Sequence, residues 1–356
     1  MKDIIAKMAP ALGLILSAFA VYENYSIETE KFTIASQKIP KPFDGFKILH
    51  LSDFHNKNFG FKNKYLYDEI HKLNPDVILM TGDMVSREDK DFSRFYALAR
   101  ETAAKYPVYY TVGNHELDLS DEELTEMFQT LRGYGVNILN NEKILIERED
   151  ETIELYGMWF GLRFYKDENG SYRKHIEFDR DEMTRLLGRK TSKNYAVMMA
   201  HNPMPFKIYA DWGADLVFSG HVHGGVIRLG KLGGLLSPGR CFFPKYYGGE
   251  YSIGDKKMIV SRGIGGLRLF NRPNLVLAEL KALYDTKASI YSKLKKAKSD
   301  YDAKYEKFIK KTVTPKWNSL NEYLRMPRAA KDNAIIDTWI GIHSDIKNTL
   351  NKEKPN

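Results

Sequence analysis

Short apolar runs that stop at polar turns recur along this chain. Phe46–Leu51 stops at Ser52-Asp53, residues 76–80 stop at Thr81-Gly82-Asp83, and Val108–Val112 stops at Gly113-Asn114-His115-Glu116. Between them the spacing changes. Tyr65, Leu66, Ile70 and Leu73 predict a helix over 64–73, and further helices are predicted near 92–105 and 122–131. The last follows an acidic first turn, which complements the positive end of a helix dipole. Strand, polar turn and helix in succession predict an α/β layer with polar residues at the carboxyl ends of its strands. From 136 to 160 the pattern reads as short strands and hairpins, and 165–190 as a polar insertion with a helix. Tyr195–Met199 and Asp215–Phe218 resume the first pattern, ending at His201 and Gly220-His221. Residues 225–280 read as Gly-rich short strands, and no fixed-period repeat is present.

Both ends differ from this body. Ile4–Tyr22 is a run of 19 residues in which only Lys7 is charged, about 28 Å as a helix, close to one hydrocarbon core. Lys2 and Lys7 precede it, while Glu23, Glu28 and Glu30 follow. That asymmetry predicts a single-pass anchor in the cell membrane over 1–22, with the catalytic body outside the cytoplasm. Ala18-Phe19-Ala20 offers the alternative of a cleaved signal, and a buried or surface helix is the third reading. Residues 23–45 read as a tether, closed by Pro40 and Pro42, which disfavour helix.

Charge separates the other end. The net charge of +8 lies wholly in 281–356, which holds 17 Lys and Arg against 9 Asp and Glu. The body is neutral, so the basic pI describes the tail alone. Residues 282–356 read as a Lys-rich helical extension, either packed on the body or binding an anionic surface. The lone Cys241 excludes an intrachain disulfide and a zinc knuckle, and no nucleic-acid motif is present.

The polar turns carry the chemistry. Of nine histidines, five (His55, His115, His201, His221 and His223) fall in turns after apolar strands, and Asp53, Asp83 and Asn114 hold equivalent places. Each turn alone is a weak signal. Together they are what a metal site needs and a core does not. Asp53/His55 and His221/His223 are i, i+2 pairs, which on extended backbone point to one side. Mixed imidazole and carboxylate donors suit Mn, Fe or Zn. Seven candidate ligands exceed one tetrahedral site and point to two divalent ions, which can clamp the attacking and leaving oxygens at phosphorus.

Asp53-Phe54-His55, Gly82-Asp83, Gly113-Asn114-His115-Glu116, His201 and Gly220-His221-Val222-His223 together resemble the calcineurin-like metallophosphoesterases over residues 46–225. Phe243-Pro244-Lys245-Tyr246, Val260-Ser261-Arg262-Gly263 and Phe270-Asn271-Arg272-Pro273 are similar to later landmarks of its membrane-associated bacterial subgroup, which includes phosphodiesterases and UDP-2,3-diacylglucosamine hydrolases. They extend the metallophosphoesterase domain to 46–281. Val226 stands where the subgroup often has Gln.

The resemblance implies an α/β fold, a four-layer α-β-β-α sandwich with the site at one edge. The N-terminal hydrophobic helix fits the subgroup, while the basic C-terminal extension is not part of its pattern. Carried over by position, one metal takes Asp53, His55, Asp83 and His223, and the other Asp83, Asn114, His201 and His221, with Asp83 shared. His115 is then not a ligand but the catalytic group at the leaving oxygen. The implied activity is hydrolysis of a phosphodiester or pyrophosphate in a lipid-linked or cell-envelope substrate, UDP-2,3-diacylglucosamine among them. The alternatives are a broad phosphomonoesterase or protein phosphatase, and an inactive scaffold on the same fold. His50 reads as buried support, Glu116 as orienting His115 or capping its turn, and Arg262 and Arg272 as phosphate clamps or strand braces.

Overall fold

The computed structural model describes residues 14, 17–60, 63–171, 173, 176–225, 227–228, 234–236, 243–266 and 270–283. One mixed sheet has the order β1 (Glu28–Ser36), β14 (Asn274–Ala282), β2 (Lys47–Leu51), β3 (Val77–Met80), β4 (Val108–Tyr110) and β5 (Asn137–Ile138). Its β2 to β5 run parallel, and β14 is antiparallel to β2. The second has the order β12 (Gly249–Ile253), β13 (Lys256–Val260), β9 (Leu216–Ser219), β8 (Ala196–Ala200), β7 (Glu151–Met158) and β6 (Glu142–Arg148). Here β13, β9, β8 and β7 run parallel, with an antiparallel strand at each edge. A short antiparallel pair, β10 (Ile227–Arg228) and β11 (Gly234–Leu236), lies apart from both.

Strand alternation builds the layers. In β2 and β3, Ile48, Val77 and Leu79 face the second sheet, where they meet Val197, Met199, Leu216 and Phe218. Their neighbours Leu49, Leu51, Ile78 and Met80 point the other way, onto helices α1 (Lys64–Leu73), α2 (Ser93–Ala103) and α3 (Asp121–Gly133). In β8 and β9, Met198 and Val217 turn outward to α4 (Arg180–Leu187) and α5 (Phe206–Trp212) through Met183, Phe206 and Tyr209. Strands covered on both faces must be apolar at every position, which is why the sequence shows runs there. The product is the expected four-layer α-β-β-α sandwich. Each fully buried Leu, Ile, Val or Phe in these layers contributes about 1.5–3 kcal/mol.

Helix ends follow local chemistry. Ser120 caps α3: its Oγ accepts the Glu123 N–H at 3.2 Å, and the Glu123 carboxylate accepts the Ser120 N–H at 3.0 Å. Such a cap stabilises by about 1 kcal/mol. Just after Pro40, Lys41–Phe43 forms one 3-10 turn with proline in its first turn.

The ends of the domain need correction. Residues 23–45 are not a free tether, because β1 pairs along its length with β14. Residues 17–25 are helical, but among the described residues no helix is long and apolar enough to cross a membrane. The single-pass anchor, and the extracytoplasmic placement built on it, therefore do not stand. Beyond the run, Glu23 is buried and the Tyr25 ring meets Phe59 edge-on. The expected extension over 282–356 lies outside the described residues from 284 onward, as does Val226.

Candidate metal centre

All the polar turns singled out in the sequence follow the carboxyl ends of parallel strands, and the two sheets bring those ends to one edge. The loop after β2 carries Asp53 and His55, that after β3 Asp83, that after β4 Asn114 and His115, that after β8 His201, and that after β9 His221 and His223. Backbone bonds lace them together. Asp53 N–H donates to Gly82 O and His55 N–H to Asp83 O, both at 3.0 Å, and Gly220 N–H donates to His201 O at 2.9 Å. The His221 N–H reaches across the sheets to Asp53 Oδ1 at 3.0 Å.

The convergence of the i, i+2 pairs does not come from strand alternation, as the sequence reading has it. Asp53, His55, Asp83, His221 and His223 have φ of 53°, 47°, 50°, 71° and 56°, in the left-handed region that non-glycine residues avoid. Each such residue costs of order 1–2 kcal/mol. The chain turns sharply at each strand end, and the turn aims the side chain. Gly82 shows the crowding: its φ is +90°, and a Cβ on it would lie 2.2 Å from the Gly113 nitrogen.

Donor atoms of Asp53, His55, Asp83 and His223 lie within 4.8 Å of one another, and so do those of Asp83, His201 and His221. Asp83 belongs to both groups. Its Oδ2 lies 3.1 Å from His201 Nε2, while Asp53 Oδ1 lies 3.2 Å from His223 Nε2. The Nε2 atoms of His55 and His223 approach to 3.1 Å. Asn114 is buried in the same turn as His115, whose N–H donates to Asp83 Oδ1 at 2.8 Å. Converging imidazole nitrogens and carboxylate oxygens fit divalent metal ions, and these residues are candidate metal ligands.

Buried charge here is balanced by opposite charge. Burial pushes the Asp53 and Asp83 carboxyls up, but His223 and His201 beside Asp53, and His201 and His115 beside Asp83, hold both well below the usual range. Burial alone lowers an imidazole; at His201 the Asp83 carboxylate outweighs it and pushes the ring up to about 9. His55 and His221 go down to about 3, through burial and then through neighbouring His223 and His201 respectively.

A shell of hydrogen bonds fixes ring orientation, as metal ligands need. His201 Nδ1–H donates to Thr81 O at 2.7 Å, which leaves Nε2 facing Asp83. The Thr81 hydroxyl in turn meets His50 Nε2 at 2.7 Å, and burial pushes His50 down to about 3. His50 is thus neutral buried support. The Arg87 N–H donates to His115 Nδ1 at 3.2 Å. A backbone N–H cannot accept, so Nδ1 is the acceptor and the His115 proton sits on Nε2, 3.9 Å from Asp83 Oδ2.

Several supporting contacts escape sequence reading, though the strand-brace reading of Arg262 and Arg272 anticipates theirs. Glu116 makes no bond to the His115 ring; it closes its own turn and ties it to the Asp83 loop. Its carboxylate accepts the N–H groups of Asp83, Met84 and Gly113 at 2.9, 2.6 and 2.8 Å. The Asn271 amide holds the carbonyls of His223 and Gly225 at 2.6 and 2.7 Å. Ser86 Oγ lies 3.2 Å from His55 Nδ1. Arg262 pairs with Glu28 and Glu30, and Arg272 bonds Ser26, so both brace strands. No local pattern marks these contacts, since their partners are distant in sequence. A cavity of about 880 Å³ opens on the centre, with His55, His115 and His223 in its lining.

Comparisons with known proteins agree with this geometry. The metallophosphoesterase YkuE of Bacillus subtilis (strain 168) is 26% identical over 268 residues, covering 73% of this chain and 87% of its own. A metallophosphoesterase of Aquifex aeolicus (strain VF5) is 28% identical over 284 residues, 76% of this chain and 98% of its own. The phosphodiesterase YaeI of Escherichia coli (strain K12) is 28% identical over 245 residues, 66% and 82% respectively. Residues 46–225 match the family described as calcineurin-like phosphoesterase. With the ligand-bearing turns inside that span, the chain belongs to the calcineurin-like phosphoesterase family and is a phosphoester hydrolase.

Proposed function

We propose that this hydrolase uses two divalent metal ions to cleave a phosphodiester or pyrophosphate. The observation that carries the reading is the double membership of Asp83: one carboxylate stands in both groups of converging donors. A carboxylate has two oxygens and can bridge two ions; a neutral imidazole offers one lone pair. Asp53, His55, Asp83 and His223 would hold one ion, and Asp83, Asn114, His201 and His221 the other. Bound there, the ions supply Lewis acidity toward the phosphoryl oxygens and lower the pKa of water.

The remaining steps belong to the chain. His115, with its proton on Nε2 and its ring 4.7 Å from that of His55, faces the centre as a hydrogen-bond donor for the leaving oxygen. The buried floor excludes bulk water and strengthens each electrostatic contact. The name of the Escherichia coli relative, a phosphodiesterase, supports a diester over a monoester. The apolar side chains in the cavity lining support an ester bearing an apolar, lipid-like group.

The test is Asp83→Asn in the purified full chain. The wild type should hold two equivalents of Mn, Fe or Zn and hydrolyse bis(4-nitrophenyl) phosphate faster than 4-nitrophenyl phosphate. The variant should fold, lose metal and lose metal-dependent turnover. Wild-type turnover in the variant would sink the shared-ligand reading, and a preference for the monoester would sink the diester assignment.

A further inference from the structure

We propose that residues 17–25 form a specificity wall for the active-site cavity, on which Ala20, Val21 and Tyr25 receive an apolar alkyl or aryl group of the phosphoester. The proposal rests on the phosphoester reading, because it places phosphorus at the histidines that share this cavity. The His55 loop and the segment before β14, which holds the His223 loop, also hold the wall. On the His55 loop, Lys57 Nζ donates to Asn24 O at 2.6 Å and lies 5.4 Å from the centre of the Tyr25 ring. The Tyr25 ring meets Phe59 edge-on at 6.4 Å. On the other side, Arg272 covers the Tyr22 ring at 5.2 Å and donates to Ser26 Oγ at 2.7 Å. Its neighbour Asn271 holds the His223 carbonyl.

The wall therefore stands in fixed relation to both His55 and His223. The cavity surface contributed by 17–25 consists of Ala20, Val21, Asn24 and Tyr25, with no formal charge, while Val21 is 59% and Tyr25 47% exposed. Apolar surface left open beside a polar reaction centre gains from covering by an apolar group. Charged residues in the lining, Lys57, Asp89 and Arg94, lie outside this segment. A group reaching the wall from phosphorus is thus selected for being uncharged and apolar.

Alkylphosphonates test this without turnover. Methyl-, butyl- and hexylphosphonate would be titrated calorimetrically into the full chain loaded with Mn. Affinity should rise about tenfold from methyl to hexyl, as partial burial of the added methylenes requires. Val21→Asn and Tyr25→Ser, both at half-exposed positions, should each flatten that rise to about twofold or less. Equal affinity for the three phosphonates in the wild type would overturn the wall, as would a wild-type rise retained in both variants. A rise that the variants abolish, in a protein that hydrolyses no phosphoester, would keep the wall and overturn the hydrolytic reading instead.

Discussion

Glu116 accepts the backbone N–H of Asp83 at 2.9 Å, so one buried carboxylate positions the residue that carries another. The same side chain takes the N–H groups of Met84 and Gly113, which joins the loops after β3 and β4. Both its oxygens act as acceptors, and burial followed by the charge of Asp83 pushes its pKa up to about 7. Glu116→Gln would turn one oxygen into an NH2 group that faces backbone donors. The expected cost is about 1–3 kcal/mol in unfolding free energy. Because the strained Asp83 turn loosens, metal affinity should fall as well. Urea unfolding and metal titration of the variant check the two effects; unchanged values in both would show that the Glu116 clamp is idle.

His115 should separate chemistry from metal binding. It lies beside the candidate ligands, but its Nδ1 is already occupied by the Arg87 N–H. Removing a positioned hydrogen-bond donor or acid of this kind lowers turnover by about 10²–10⁴-fold. His115→Ala should show that loss in kcat while two metal equivalents per chain remain by elemental analysis. Loss of a metal equivalent would make His115 a ligand and reverse its assignment.

Much of this was legible from sequence because the strands are buried on both faces. Ile48 to Leu51 and Val77 to Met80 must be apolar throughout, so the runs announce the strands, and the polar residues that end them announce the site. What was not legible depends on distance in the chain. Strand β1 looks like a polar tether because it is an edge strand, and its partner β14 lies more than two hundred residues away. The membrane anchor depends on helix length, which an apolar run does not fix: among the described residues no helix is long and apolar enough to cross a membrane. The i, i+2 pairs were read correctly as neighbours but through the wrong geometry, since positive φ at Asp53 and His55 cannot be read from residue type.

Metal removal should be visible as a proton event. Without ions, the Asp83 carboxylate pushes His201 up to about 9, so the ring is an imidazolium at neutral pH. A ligand imidazole must be neutral, so loading the site at pH 7.5 should release a proton. Calorimetry with Mn in buffers of different ionisation enthalpy should give about one proton released per chain from this ring. Chelation should also lower the melting temperature, because ions bind the folded state alone; at a hundredfold excess over Kd the lost stabilisation is about 2.7 kcal/mol per site. A buffer-independent enthalpy would contradict the charged His201.

Asp215 offers a stability test remote from the chemistry. It precedes β9, at the end opposite the candidate metal ligands, and is buried. Its Oδ1 accepts Lys256 Nζ at 2.6 Å and Lys38 Nζ at 2.8 Å, while Oδ2 accepts the Ala196 N–H at 2.9 Å. Lys38 follows β1, so the ion pair staples one sheet to the other. Burial pushes the Asp215 carboxyl up, but the Lys256 and Lys38 hydrogen bonds outweigh it and hold the group below its usual 3.8. A folded-state pKa below the unfolded value of about 3.9 means that the unfolded chain binds more protons between the two. The contribution is therefore complete above pH 4 and disappears as pH falls through the folded value. Asp215→Asn should cost about 2 kcal/mol at pH 7, as expected for hydrogen bonds to a charged group. The gap to wild type should narrow below pH 4, where the unfolded chain's carboxyl takes up its proton first. Urea unfolding at pH 7 and at pH 3 measures both, and a gap that is equal at the two values would remove the charged staple from the fold.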